Sequence, residues 1–401
     1  MGETKKKPQN PNKLLNAIRT LTFIRKNRET DALTISEHLG IALPTLYRSL
    51  KYLLEQKLII EDGKGNSSAG RRAVLYSVND HYAYVLGIYI GKKYIQTFIA
   101  GIDGTLRQQH ITELKPGLQR DEILGVIHKA VDTVAEKCLG AQEKMARIHR
   151  IGIMSASAVD VLSGTITEFG GRECLNGFPI VAHMEARHGK PVKLMKESSI
   201  CALSYADEMA GKHISHYLYV HIGLGVSASL VVDGQLYGGK HGCAGEIEKI
   251  PLPENRRSTP LTMLEVYERV EQYIRANPAS ALAELVAQKR QAGHSRETAL
   301  LRSIDESIAG QDADCIGLLR ATVEAWRMMI CVLLACYDPE CCILGGDISD
   351  NVPALYRWIK GPEQGQTAFM PGHSGNTNNA VLARSTIDEV FADLQKEISA
   401  M

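Results

Sequence analysis

Between Lys13 and Asn27 the apolar residues Leu14, Leu15, Ile18, Leu21 and Ile24 recur at intervals of three and four, the period of one helix face. Thr34 to Gly40 predicts a short second helix, with Thr34 at the cap, Glu37 at the capping-box position and Gly40 as its stop. Pro44 suits the first turn of a third helix. One face of that helix collects Leu46, Leu50, Leu53 and Leu54, and Tyr47, Arg48 and Lys51 lie off it. The pattern then changes to strand, loop, strand: Leu58-Ile59-Ile60, a Gly/Ser stretch ending in Gly70-Arg71-Arg72, and Val74-Leu75-Tyr76-Ser77-Val78.

Three helices followed by a two-stranded ribbon is the order of a winged helix-turn-helix, whose last helix enters the major groove of duplex DNA. The residues expected to face DNA are Thr45, Tyr47, Arg48 and Lys51 on the third helix and Gly70, Arg71 and Arg72 in the wing. Arginine in a wing suits phosphates or a narrow minor groove. The same pattern also describes a helical interaction module that never meets DNA.

From residue 83 the chain reads as α/β. Strands are expected over Tyr84–Tyr89, Tyr94–Ile102, Arg150–Met154, Val192–Met195, Tyr217–Ile222, Ala228–Val232 and Cys342–Leu344. Helices are expected over Arg120–Leu139, Ser198–Met209, 262–275, 278–291, 296–308, Asp314–Tyr337 and Asn379–Glu397. The implied division is a flexible basic arm (1–12), a winged helix (13–80), a first lobe (81–197 plus 378–401) and a second lobe (198–377).

Composition narrows the class. In 401 residues, 44% are hydrophobic and 23% charged, enough to build a core and unlike a disordered chain. No run of about 18 apolar residues argues for a membrane span, and the lysine-rich start lacks the apolar stretch of a secretory signal. Nine scattered cysteines with no CxxC pair suit a reducing cytoplasm and give no zinc site. Residues 1–80 hold 14 Lys and Arg against 8 Asp and Glu, whereas the remainder holds 32 against 37. A basic head on a mildly acidic body suits a polyanionic partner.

Several landmarks recur in a familiar order: Gly70-Arg71-Arg72, Leu86-Gly87-Ile88-Tyr89-Ile90-Gly91, Ala158-Val159-Asp160 with Gly164, Gly223-Leu224-Gly225, Gly242-Cys243-Ala244-Gly245-Glu246-Ile247, and Asp338-Pro339-Glu340 through Gly345-Gly346. By these the chain resembles the ROK family (repressors, open reading frames, kinases), and within it the regulators that fuse a winged helix to a sugar-kinase-like body. The resemblance implies an actin-like, ribonuclease-H-like body of two lobes.

The departures from that pattern carry chemistry. The family's kinases have an Asp-x-Gly-x-Thr turn; here Tyr89 stands at the Asp position, Gly91 remains, and Lys93 stands at the Thr position. A phenol does not replace a carboxylate in holding magnesium, which phosphoryl transfer needs. In the second phosphate loop Leu224 replaces the hydroxyl residue. Where the family has Glu-Asn-Asp with a catalytic Asp, this chain has Met195-Lys196-Glu197. Glu248-Lys249 replaces a Gly-His whose histidine binds sugar and zinc, and the zinc cysteines that follow are absent.

The resemblance therefore implies a DNA-binding repressor of carbohydrate-use genes with a sensing body, no catalytic residue, no metal and no cofactor. Candidate effector contacts are Lys196, Glu197, Glu246, Lys249 and Glu265, which also fit an internal salt-bridge network. Their mixed charge suits a sugar or a charged sugar derivative, and a homodimer or homotetramer suits a palindromic operator. Two other readings stay open: an ATP-dependent sugar kinase with a DNA-binding head, and a regulator controlled by a docking protein. Replacing Arg71 and Arg72 together by alanine should weaken DNA binding uniformly across sequences and lower the salt slope by about two. A titration against salt that found affinity and slope unchanged would remove the wing assignment.

Overall fold

The computed structural model describes residues 11–64, 73–140, 145–240, 242–250, 259, 261–361, 367–373 and 378–400. Two compact units emerge: Met1–Met154 with Ile180–Leu194 and Asn379–Met401, and Ser155–Pro179 with Met195–Asn378.

The first unit begins with α1 (Pro11–Asn27), β1 (Glu29–Asp31), α2 (Ala32–Leu39), α3 (Leu43–Glu55), β2 (Ile59–Lys64) and β3 (Val74–Val78). The strands form an antiparallel sheet in the order β1-β3-β2. Leu21, Ile24, Ile35, Leu46, Leu50 and Leu53 bury the helices' inner faces completely. The cap of α2 differs from expectation. Asp31, not Thr34, is the N-cap, and its carboxylate accepts from the Thr34 amide at 2.8 Å. The short strand β1 sets that register. Gly40 ends α2 in the left-handed conformation, at φ 62°.

The connection to the rest of the unit is held at several points. The Asn79 amide donates to the Leu58 carbonyl at 3.0 Å, and Arg147 donates to the His81 carbonyl at 2.6 Å while lying over the Tyr84 ring. Strands β4 (Tyr84–Ile90), β5 (Tyr94–Gly101) and β6 (Leu106–Glu113) follow, then α4 (Arg120–Leu139) and β7 (Ile148–Ser155). β6 was not foreseen; its partly exposed, polar sequence reads as loop until β5 pairs with it.

The chain next forms the hairpin β8 (Ala158–Asp160) and β9 (Thr165–Glu168). This segment, expected in the first lobe, clusters with the second unit. Cys243 there donates its thiol to the Val159 carbonyl at 3.3 Å, and Gly242 lies against Val161. α5 (Ile180–His188) and β10 (Val192–Lys196) complete a five-stranded sheet in the order β10-β7-β4-β5-β6.

In the second unit α6 (Glu197–Ser204), α7 (Ala206–Gly211), β11 (Tyr217–Ile222), β12 (Val226–Val232) and β13 (Gln235–Tyr237) lead into the helices α8 (Met263–Ala276), α9 (Ala281–Gln291), α10 (Arg296–Ala309) and α11 (Ala313–Tyr337). The one helix expected over Ser198–Met209 is thus two, broken at Tyr205. β14 (Cys341–Ser349), α12 (Pro353–Lys360) and β15 (Ala368–Gly372) follow. The sheet order is β13-β12-β11-β14-β15, with β11, β14 and β15 parallel. Trp326, Tyr267, Leu218, Leu319 and Leu344 belong to the buried cluster between this sheet and the helices.

The last helix, α13 (Asn378–Ala400), packs its middle on β7, where a Cβ at Gly152 would lie 2.1 Å from the Thr386 hydroxyl. Arg25 of α1 forms an ion pair with Asp388 of α13 and lies 4.4 Å above the Phe391 ring. These contacts tie the N-terminal helices to the C-terminal one within the first unit.

Between α4 and α5 the Nε2 atoms of His128 and His183 lie 3.0 Å apart. Burial first, and then the Arg187 charge, push the His128 imidazole down to about 4, and His188 is lowered by the same two causes. Between that value and the ordinary 6.5 the unfolded chain binds more protons than the folded one. Stability is therefore full above about pH 6.5 and falls as the pH drops toward 4. Urea midpoints at pH 7 and pH 5 should show His128→Phe losing less stability on acidification than the parent.

Candidate functional site

The outer face of α3 is set by the burial of its inner one. With Leu46, Leu50 and Leu53 inside, Leu43, Tyr47, Arg48 and Lys51 stand in solvent. Thr45 is half-buried at the edge. Arg48 is drawn along its own helix, its Nε donating to the Pro44 carbonyl at 3.1 Å and its Nη2 to the Thr45 hydroxyl at 3.3 Å. Lys51 lies 3.9 Å from Glu55. Tyr47 sits near the sheet: burial pushes the Tyr76 phenol up, and Glu61 and Tyr47 add to the shift. Gly70, Arg71 and Arg72 lie outside the described residues.

In the first unit the end of β4 carries Tyr89, and the turn after it carries Gly91 and Lys93. The Gly91 amide donates to the Tyr94 carbonyl at 3.1 Å. Tyr89 is buried, and its ring fills the space over the glycine, 2.6 Å from where a Cβ would stand. An aromatic ring therefore covers the turn's backbone.

In the second unit Lys196 ends β10 and Glu197 opens α6. The Lys196 side chain is 6% exposed, and its Nζ donates to the Ala244 carbonyl and to Glu246 Oε1, the latter at 3.3 Å. An ammonium buried to that degree requires such partners. Gly245 lets the segment come close enough: at φ 84°, any Cβ there would lie 2.0 Å from the Ala228 carbonyl oxygen. Lys249 pairs at 3.4 Å with Glu168, both well exposed.

Glu265 has a different task from the one expected. Its Oε2 accepts from the Leu261 amide, the Thr262 amide and the Thr262 hydroxyl, and so closes the capping box of α8. Lys196 and Glu246 are the predicted contacts that pair directly with each other.

Sequence reasoning missed two features. Glu248 Oε2 accepts from the Val226 amide at 3.2 Å, beside Gly225. A carboxylate of the chain thus occupies a backbone donor of the second glycine loop. The second feature joins His221, Tyr267 and Asp347. The Tyr267 hydroxyl donates to Asp347 Oδ2 at 2.8 Å. Burial pushes the Asp347 carboxyl up, opposed by that hydrogen bond and by His221, while burial pushes His221 down. His221 Nδ1 is buried with no hydrogen-bond partner. The signal was available: Asp347 follows Gly345-Gly346 at the carboxyl end of a parallel strand, where α/β sheets place ligands. Among the described residues no three His, Cys, Asp or Glu side chains are grouped to hold a metal.

Five-stranded sheets with flanking helices and glycine turns at strand ends are those of a sugar-kinase-like, actin-fold α/β body. The chain belongs to the ROK family, which it matches over residues 85–368. It is 24% identical over 235 residues to the xylose repressor of Caldicellulosiruptor bescii, covering 59% of this chain and 58% of that one. The chain spans less than two thirds of the length of the curated relatives it matches. A ROK family transcriptional regulator, a homologue of the Escherichia coli Mlc protein, superposes with a TM-score of 0.68 at 16% identity, covering 97% of this chain and 99% of the other. A ROK family glucokinase from Streptomyces griseus, solved with glucose and AMPPNP, gives 0.58 at 18% identity, with coverages of 76% and 98%.

Lys196→Met should cost about 1.5–3 kcal/mol by stranding the Glu246 carboxylate. The double change Lys196→Met with Glu246→Leu should recover much of that, since both partners leave together. Urea unfolding of the three proteins measures the coupling.

Proposed function

We propose that the chain is a DNA-binding repressor of sugar-use genes, with a ROK body that senses an effector instead of phosphorylating a sugar. The observation that carries this reading is the presence, in one chain, of a solvent-facing basic helix and of phosphate turns occupied from within. α1 to α3 with β1-β3-β2 have the order of a winged helix, and α3 is its recognition helix. The superposition with the regulator extends over this region as well as the body.

Against catalysis stand two local fillings. The Tyr89 ring covers the first turn, and Glu248 both takes an amide of the second loop and adds negative charge where a phosphate would need donors. Lys196, Glu197, Glu246 and Lys249 are the effector contacts in this reading, and Glu265 serves the α8 cap. The relative's name points to xylose as a first effector to try. A hydroxyl can accept from Lys196 and donate to Glu246, so a polyol meets both halves of the pair. A homodimer or homotetramer with two-fold symmetry matches a palindromic operator. A ligand acts here only through unequal affinity for the DNA-competent and incompetent states.

The test is selection of bound sequences from random duplex DNA, followed by a sugar panel, xylose included, for release with purified protein alone. Arg48→Ala should weaken the selected site by about 1–3 kcal/mol and relax its sequence preference. Incubation with ATP, magnesium and the same sugars should give no turnover; a rate above about 1 s⁻¹, in the ordinary enzyme range, would reverse the reading of the body.

A further inference from the structure

This inference rests on the DNA-binding reading and names what the α3 face selects. Two apolar side chains stand among its cations: Leu43 is 37% exposed and Tyr47 53%. They are one helical turn apart and therefore share a stripe. Arg48 and Lys51 accompany them, and α3 carries no acid before Glu55. A single exposed leucine needs no explanation. An apolar pair within a basic stripe is another matter. Duplex DNA offers anionic phosphates to the cations and, in the major groove, the thymine C5-methyl group to the apolar side chains. Charge complementarity favours that occupant over a protein, since residues 1–80 hold six more cations than anions. Position agrees with charge. The N-terminal residues of a recognition helix meet base edges. Leu43 opens α3, and the Arg48 guanidinium is turned toward that same end by Pro44 and Thr45.

We propose that Leu43 and Tyr47 read thymine methyl groups in the major groove, so that the operator half-site carries thymine where it faces the first turns of α3. The test uses the full chain and a duplex selected from random DNA. Thymines in that duplex are replaced one at a time by uracil, which keeps the base pair and removes the methyl. Affinity is then read by fluorescence anisotropy at fixed salt. One or two replacements should weaken the parent protein about fourfold each, as expected for one buried carbon. Leu43→Ala or Tyr47→Ala should bind the thymine and uracil forms of the matching duplex alike, with an unchanged salt slope.

A parent protein that selects a consensus yet ignores every uracil overturns the methyl readout alone. So do variants that keep the parent's sensitivity to uracil. Failure to select any sequence overturns the DNA-binding reading and this inference with it. The uracil series on the parent protein needs no variant to fold.

Discussion

A buried ammonium cannot be left without anions, and Lys196 is the place in the second unit where this constraint organises the chain. Its Nζ donates to the Ala244 carbonyl and to Glu246. Those partners are two residues apart on a segment that must lie close to β12. Gly245 permits the approach, and the Ala228 amide donates to the Gly245 carbonyl at 2.7 Å. With 244–246 held, the following turn brings the Glu248 carboxylate to the Val226 amide at the base of the glycine loop. The single charge of Lys196 thus goes with a set of hydrogen bonds that reaches the second glycine loop. The ionic pair is buried enough that its loss would leave a desolvated carboxylate, so the arrangement resists piecemeal change.

The elements legible in the sequence were those whose pattern is local and strong. The leucine face of α3 and the glycine stop of α2 came out as expected. The failures share a cause. β6 is largely polar, with Leu106 and Ile111 its only apolar residues, and becomes a strand only because β5 offers it a partner edge. The cap of α2 lies three residues earlier than expected because Asp31, fixed by the pairing of β1 with β3, reaches the Thr34 amide first. In both cases a long-range pairing decided what local propensity left open.

The site was legible by residue type more than by role. Lys196 and Glu246 stand in segments that the family resemblance marks as its sugar site, and they meet. Glu265 stands in such a motif too, yet it closes the cap of its own helix through three donors at 2.9–3.0 Å. Thr262-Met263-Leu264-Glu265 is a capping-box pattern, so that role was readable too, but a functional motif hid it. Glu248 illustrates the reverse. A carboxylate replacing glycine reads as a simple loss until its partner, a backbone amide twenty-two positions earlier, is known. The Tyr267–Asp347 bond joins residues eighty positions apart, and no spacing rule announces it.

The anchorage of α1 has a mechanical meaning. Arg25 is clamped between Asp388 and the Phe391 ring, and the Asn79–Tyr84 junction is fastened at several further points. The N-terminal helices are therefore not tethered by a slack leash. In any symmetric assembly of such chains the separation of the two α3 helices would be inherited from the body's own self-contact. On the proposed DNA-binding reading, the gap between operator halves would then be a trait of the body, open to change by mutations that never approach a nucleotide.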